Sequence, residues 1–284
     1  MIDFRADLHC HTTCSDGALS PIELVKKAKQ NGLSGLSITD HDSIEAYAGA
    51  MPCANEIGLP LVSGAEFSSV HQDVSVHILG YAFPLNSEII HAFCQKHEKR
   101  RTSRNRIILE KLAAIDKPVS EEEVLACTLA RQSSAKQIVG RPHIAQAMVK
   151  KGYVANIQEA FKLYIGEGKN CYERGPLFSA EETIEIIHQA KGLAVIAHPH
   201  LIKEQHVVQQ LVEMNFDGIE CYYSNFLNAQ NNRWLKIAKR KNWLITGGSD
   251  FHGDLRPNVE LGSSWVDESH FRALQSRFHE NNPN

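Results

Sequence analysis

The sequence predicts a single α/β barrel interrupted by a helical insertion. Short apolar runs alternate with amphipathic stretches, the rhythm of βα units. That rhythm pauses once, for a mainly helical stretch, and then resumes. The length of 284 residues suits one barrel carrying a long loop, since barrels commonly accept such insertions.

The elements follow in order. Ile2 to His11 reads as a strand. Pro21 to Asn31 reads as a helix, with Ser20 as N-cap, Pro21 at the first position and Gly32 after the end. Leu33 to Thr39 is a second strand and Ile44 to Ile57 a helix; Leu59 to Ser63 and Val74 to Tyr81 are two more strands. Residues 88 to 170 read as mainly helical, with a basic run from Lys96 to Arg106 and a loop from Arg131 to Gly140. The rhythm then resumes with helix Ala180 to Lys191, strand Leu193 to Ala197, helix Lys203 to Asn215, strand Gly218 to Tyr222, helix Phe226 to Lys241 and strand Trp243 to Gly247. The polar end, His279 to Asn284, is expected to fray. The division expected is a barrel of residues 1–98 and 171–284, with a helical subdomain at 99–170 covering the active site.

Composition narrows the function. A net charge of −3 carries no global basic field of the kind that announces a nucleic-acid protein, although a local basic patch is compatible with it. The start, MIDFRADLHCHTT, lacks a cationic segment followed by an apolar one, and no run is long and apolar enough to span a membrane. The seven cysteines are dispersed without Cys-x-x-Cys pairs, so they read as reduced thiols of a cytoplasmic protein. The informative residue is histidine, present 15 times and often next to Asp or Glu.

Six short motifs carry the chemistry. Asp7, His9 and His11 alternate on the first strand and so share a face, from which two imidazoles can chelate one metal ion. Asp7 would hydrogen-bond a ligand imidazole from behind, and Asp16 lies in the following turn, which Gly17 permits. Asp40, His41 and Asp42 end the second strand. Glu66 follows the third, His77 lies inside the fourth, and His198 and His200 follow a later one. Asp250 and His252 follow the last. All but His77 fall at or near the C-terminal end of a strand, where parallel barrels assemble their active sites. Any one motif has a bland alternative: a lone buried His is commonly a core residue, and Asp40 or Asp42 can be a helix N-cap. Six together, rich in imidazole and carboxylate and without thiols, suit Mn²⁺, Fe²⁺ or Zn²⁺, with Mg²⁺ also permitted.

In this order the motifs resemble the PHP (polymerase and histidinol phosphatase) family, over Asp7 to Gly253. The resemblance implies a distorted (β/α)7 barrel and a cluster of two or three divalent ions, Mn²⁺ foremost. It implies one metal held by His9, His11, Glu66 and Asp250, a second by Glu66, His77 and His198, and a third by Asp16, His41 and His252, with Asp7 and Asp40 as supports. Within the insertion, Gly140, Arg141, His143 and Ala145, then Ala160 and Phe161, then Tyr164 to Lys169, look like the stand-alone bacterial type. That type removes the 3′-phosphate from nucleoside 3′,5′-bisphosphates, and its relatives trim short RNA from the 5′ end. By this resemblance Arg141, His143 and Lys169 would bind the other phosphate, the arginine through its planar fork.

The expected mechanism is in-line attack on phosphorus by a metal-bound hydroxide, with His200 as general acid or as a prop. The basic run is more often a solvated helix face, but Arg100 and Arg104 share one side and, facing the cleft, would guide an anionic nucleotide or single-stranded RNA end. Three readings compete: a histidinol-phosphate phosphatase, an amidohydrolase-type C–N hydrolase, which would want a strand-end carbamylated Lys, and a nucleic-acid module with structural metals, which would want a closed four-ligand site. The sequence does not tell the oligomeric state.

Overall fold

The computed structural model describes residues 4–129, 138–224, 226 and 228–282. Its strands are β1 (Ala6–Asp7), β2 (Gly35–Ile38), β3 (Leu61–His71), β4 (Val74–Tyr81), β5 (Phe178–Ser179), β6 (Leu193–Ile196), β7 (Gly218–Tyr223) and β8 (Leu244–Gly248). Its helices are α1 (Pro21–Gln30), α2 (Tyr47–Ile57), α3 (Glu88–Ala113), α4 (Glu121–Leu129), α5 (Arg141–Lys150), α6 (Ile157–Ala160), α7 (Ala180–Gln189), α8 (Gln205–Glu213), α9 (Asn228–Lys241) and α10 (Glu268–Asn281).

Seven strands run in the order β1-β2-β3-β4-β6-β7-β8, with β5 beside β3 off this path. The barrel closes through backbone bonds between its first and last strand regions: Leu8 N–H donates to the Gly247 carbonyl (3.1 Å), Asp250 N–H to His9 (2.7 Å) and His11 N–H to Phe251 (2.9 Å). The expected seven-stranded, distorted barrel is therefore present. Its distortion has a clear source: β4 runs antiparallel to both β3 and β6, while the other neighbours on the path pair in parallel.

Local chemistry explains several elements. Ser20 caps α1 in a full capping box with Glu23, and Pro21 opens the helix, as expected. Gly17 turns the chain so tightly that a Cβ there would lie 2.2 Å from the His11 carbonyl oxygen. The β1 region departs from expectation. Regular pairing covers only Ala6–Asp7, because the chain beyond bonds to the segment after β8 rather than continuing a ladder. Residues 1–3, which include the first two residues of the expected strand, lie outside the described residues, as does most of the expected loop 131–140.

The C-terminal expectation needs correction. His279 to Asn281 complete α10, and Asn281 donates to the carbonyls of Ala82 (2.9 Å) and Lys191 (2.8 Å). Phe271, Leu274 and Phe278 at i, i+3 and i+7 bury one face of this helix against the barrel. The Phe271 ring packs over Gly35, where even a Cβ would clash.

Apolar residues gather in separate clusters. Two serve the barrel, and another, including Ile108, Leu112, Ile144, Met148 and Ile165, serves the helical insertion. The 26-residue α3, about 39 Å long, connects them. Ile90 and Phe93 join the barrel cluster, Ile108 to Leu112 the insertion cluster, and the buried middle is charged. A boundary at 98/99 falls inside this helix. Among the described residues no helix is long and apolar enough to cross a membrane.

Replacing Phe271 with Ala should cost about 3–5 kcal/mol, as loss of a buried aromatic ring does. A urea titration would show a lower midpoint, and metal content per folded chain should stay unchanged; an unshifted midpoint would mean that α10 does not anchor the barrel.

Candidate metal centre and its arginine-lined cleft

The ligand candidates converge at one end of the barrel because the strand regions continue in register beyond the sheet. Thr39 N–H bonds the Cys10 carbonyl (2.9 Å), Glu66 N–H that of Asp40 (3.2 Å) and Asp42 N–H that of Glu66 (2.9 Å). The sequence places His77 inside its strand rather than at the C-terminal end. Reversal of β4 resolves this, since His77 pairs with Ser68 and so stands at the same end as the C-terminal half of β3.

Glu66 lies at the centre, buried, with five imidazoles around it. Its Oε1 is 2.6 Å from His77 Nδ1 and 2.8 Å from His198 Nε2. Its Oε2 is 3.3 Å from His9 Nε2, 3.2 Å from His11 Nε2 and 3.1 Å from His41 Nδ1. Asp250 Oδ1 lies 3.1 Å from His11 Nε2, and Asp16 Oδ1 3.4 Å from His252 Nε2. Donor atoms gather in three groups: His9, His11, Glu66 and Asp250; His11, Asp16, His41 and His252; and His41, Glu66 and His77. These overlap the three expected ligand sets. The structure also brings His11 to the Asp16 group and His41 to the His77 group, while His198 reaches Glu66 beside His77.

The donor set fits divalent metal ions. His9 Nε2, both His11 nitrogens, Asp16 Oδ1, His41 Nδ1, Glu66 Oε2 and His198 Nδ1 are buried without a hydrogen-bond partner among the described residues. Buried polar atoms are seldom left so unless they hold something else. Charge points the same way. Burial would raise the Glu66 carboxyl, but the imidazoles of His41, His77 and His9 hold it well below its ordinary range. Burial would lower His11, yet Asp250 and Glu66 raise it to about 9. Burial instead pushes His41 down to about 3, so that it stands as a neutral donor, and metal ions would displace the proton of His11.

The supports differ from expectation. Among the described residues Asp7 makes no hydrogen bond to a ligand imidazole. Its oxygens accept from the backbone N–H groups of His9 (3.1 Å), Ser249 (2.9 Å) and Gly262 (2.8 Å) and from the Ser249 hydroxyl (2.5 Å). It therefore ties the closing strand regions together. Asp40 fixes the loop between His11 and Asp16, accepting from Thr12 N–H (2.7 Å), the Thr12 hydroxyl (2.6 Å) and the Ser15 hydroxyl (2.6 Å). The group that orients an imidazole is Glu220 of β7, which sequence reasoning missed. Its Oε1 lies 2.9 Å from His9 Nδ1, and its Oε2 accepts from His198 N–H at 2.6 Å. Inside a continuous strand with no neighbouring His motif, Glu220 carried only one signal, a carboxylate in an apolar run.

His198, Asp250 and Asp42 have positive φ (23°, 54° and 55°), a conformation that costs on the order of 1–3 kcal/mol per residue and tends to mark functional sites. Asp250 is also held by the Tyr223 hydroxyl (2.7 Å) and by Arg256.

A cleft of about 570 Å³ opens over His41, His77 and His252 and is walled by Arg100, Arg101, Arg104 and Arg141. The basic run of α3 therefore divides: Lys96, Lys99 and Arg106 are exposed, as on a solvated face, while Arg100, Arg101 and Arg104 are buried. Asp42 pairs with Arg101 (2.5 Å) and lies 3.6 Å from Arg100. Arg104 makes its side-chain hydrogen bonds to the neutral Asn105. Burial and the guanidinium groups of Arg101, Arg141 and Arg100 hold Arg104 well below its usual range, the sign of a site short of negative charge. The Arg141 guanidinium lies over the rings of Tyr172 (5.1 Å) and Phe161 (5.8 Å).

Other expected residues stand elsewhere. His143 folds its Nδ1 back to accept from Gly140 N–H (3.0 Å) at the start of α5, and it does not line the cleft. Lys169 is exposed and also outside the lining. His200 sits among Tyr223, Phe226 and Trp234, with Nε2 3.2 Å from Asn231 Oδ1, so it props Tyr223 rather than facing the cleft.

The family model for the PHP domain matches residues 7–172, which carry Asp7, the His9–His11 pair and Glu66. The chain belongs to the PHP domain family. Among its PHP relatives, a 5′-3′ exoribonuclease of Haemophilus influenzae is 33% identical over 92% of this chain and 97% of its own. A 3′,5′-nucleoside bisphosphate phosphatase of Chromobacterium violaceum is 28% identical over 90% of each. A solved structure from Bifidobacterium adolescentis, to which metal-dependent phosphoesterase activity has been ascribed, superposes with a TM-score of 0.86 at 32% identity over 96% of each chain.

Replacing Glu220 with Gln should weaken metal affinity about 10–100-fold while the chain stays folded, because the partner behind a ligand imidazole sets its tautomer and basicity. Metal titration followed by elemental analysis reads this directly; undiminished affinity would remove Glu220 from the centre.

Proposed function

We propose that this metal-dependent phosphoesterase removes the 3′-phosphate from nucleoside 3′,5′-bisphosphates and, by breaking the same P–O3′ bond, trims 5′-phosphorylated short RNA. The observation carrying the proposal is one cleft that joins the imidazole–carboxylate cluster to buried arginines lacking enough carboxylates to neutralise them. A substrate with two phosphates answers both features.

In this reading His9, His11, Glu66 and Asp250 hold one ion, Glu66, His77 and His198 a second, and Asp16, His41 and His252 a third. Mn²⁺ is the first candidate, with Fe²⁺, Zn²⁺ and Mg²⁺ as others. When bound, such ions activate water and neutralise phosphate oxygens. The protein's part is placement. Arg100, Arg104 and Arg141 grip the 5′-phosphate, Arg for its fork geometry, and Glu220 fixes His9. The helical segment 99–170 supplies a wall of the cleft through Arg100, Arg104, Arg141 and Phe161, which supports its role as a subdomain covering the active site of the barrel formed by 1–98 and 171–284.

Histidinol phosphate has a single phosphate and would leave Arg104 and Arg141 without an anionic ligand, since Asp42 serves Arg100 and Arg101. The C–N hydrolase reading is weaker still, since among the described residues no lysine lines the cleft.

Phosphate release from adenosine 3′,5′-bisphosphate with added Mn²⁺ should be abolished by chelator. Arg141→Ala or Arg104→Ala should lower kcat/KM roughly 10–100-fold, mainly through KM, as expected for a lost hydrogen bond to a charged group. Turnover of histidinol phosphate without turnover of the bisphosphate would overturn the substrate assignment.

A further inference from the structure

We infer that the groove between Leu201 and Phe226 holds the nucleotide that follows the scissile phosphate in single-stranded RNA. This rests on the substrate reading above and extends it to a second subsite.

Of the recesses that adjoin the main cleft, two differ in charge. One, of about 340 Å³, runs past His77 and His198 and includes Asp73, Glu167, Glu204 and Lys203, with Arg174 paired to Asp73 (3.4 Å) and Glu167 (3.6 Å). Its carboxylates still outnumber these two cations, which disfavours a phosphodiester chain. The other, of about 390 Å³, meets the main cleft at Gln158, Leu255 and Arg256. Among the described residues no carboxylate lines it, and Arg256, whose guanidinium holds Asp250 and the Tyr223 hydroxyl, stands at the junction where the backbone would pass. It contains none of the three arginines assigned above to the 5′-phosphate, so both sites can be filled at once.

Its walls suit a base. Phe226 offers a ring braced by His200 (4.8 Å between centroids) and Tyr223 (5.8 Å), and Leu201 is 45% exposed beside it. Phe226 is half-buried, and aromatic rings that line such grooves bind successive bases with little preference, since every base has a π face.

The chemistry is common to both substrates. Water oxygen joins phosphorus and the P–O3′ bond breaks. The first nucleotide departs with its O3′ taking a proton from that water, and the phosphate remains on the next nucleotide as a new 5′-phosphate. In the bisphosphate the position of the downstream nucleotide is a free phosphate oxygen, and the groove is not engaged.

The test compares adenosine 3′,5′-bisphosphate with 5′-phosphorylated di- and tetraadenylate in the Mn²⁺-loaded enzyme. Calorimetric binding of a hydrolysis-resistant phosphorothioate tetraadenylate supplies a readout independent of turnover. Phe226→Ala should raise KM for the oligonucleotides and Kd for the phosphorothioate at least about fivefold, with bisphosphate kinetics within twofold of wild type. Phe226→Tyr should restore RNA binding, and Leu201→Asp, which places a carboxylate beside the chain, should weaken it without relying on Phe226. Unchanged RNA binding in both Phe226→Ala and Leu201→Asp overturns the inference. So does an equal loss on bisphosphate and RNA, which would put the first base in the groove. Failure of wild type to hydrolyse the bisphosphate would instead count against the substrate reading, while the binding arm still decides the groove.

Discussion

The Glu66 carboxylate, buried among imidazoles from separate parts of the chain, is the constraint around which the rest of the structure is arranged. His9 and His11 come from the region after β1, His41 from beyond β2, His77 from β4 and His198 from beyond β6. A buried carboxylate is costly unless cations and donors surround it. Here its neighbours can arrive only if the strand regions converge, so electrostatics and barrel closure reinforce each other. The backbone of Glu66 takes part too, bonding Asp40 on one side and Asp42 on the other.

A second charged centre lies one helix away. The middle of α3 buries Arg100, Arg101 and Arg104 between the barrel and insertion clusters, and Asp42 is the carboxylate that meets them. Asp42 also accepts from Ser68 N–H (2.8 Å) and lies 3.1 Å from His97 Nδ1. Since it follows His41 directly, the arginine wall and the metal centre share one loop. Such a site sacrifices stability: guanidinium groups are buried in excess and several residues hold strained backbone conformations. That pattern is intelligible where an anionic ligand restores the balance.

Much of the chemistry was legible in the sequence because it is local. Spacing of two on an extended segment put His9 and His11 together, and ligand-type residues at strand ends announced the cluster before any fold was seen. The PHP resemblance added a distorted seven-stranded barrel. Other features depend on partners far along the chain. Glu220 matters because β7 brings it beneath His9, 211 residues away in sequence. Asp7 pairs with backbone amides of Ser249 and Gly262, which nothing near Asp7 announces. His143 and Lys169 matched a motif, but capping geometry turned one inward and exposure left the other outside the cleft.

The sequence by itself determined which residues could bind metal and where most strands and helices lie, since ligand chemistry and hydrophobic period are written residue by residue. Only the tertiary structure decided the direction of β4, the docking of α10, the burial of the α3 arginines and the support given by Glu220. Strand direction and burial depend on which distant surfaces meet, and a pattern read along one segment carries no record of that meeting.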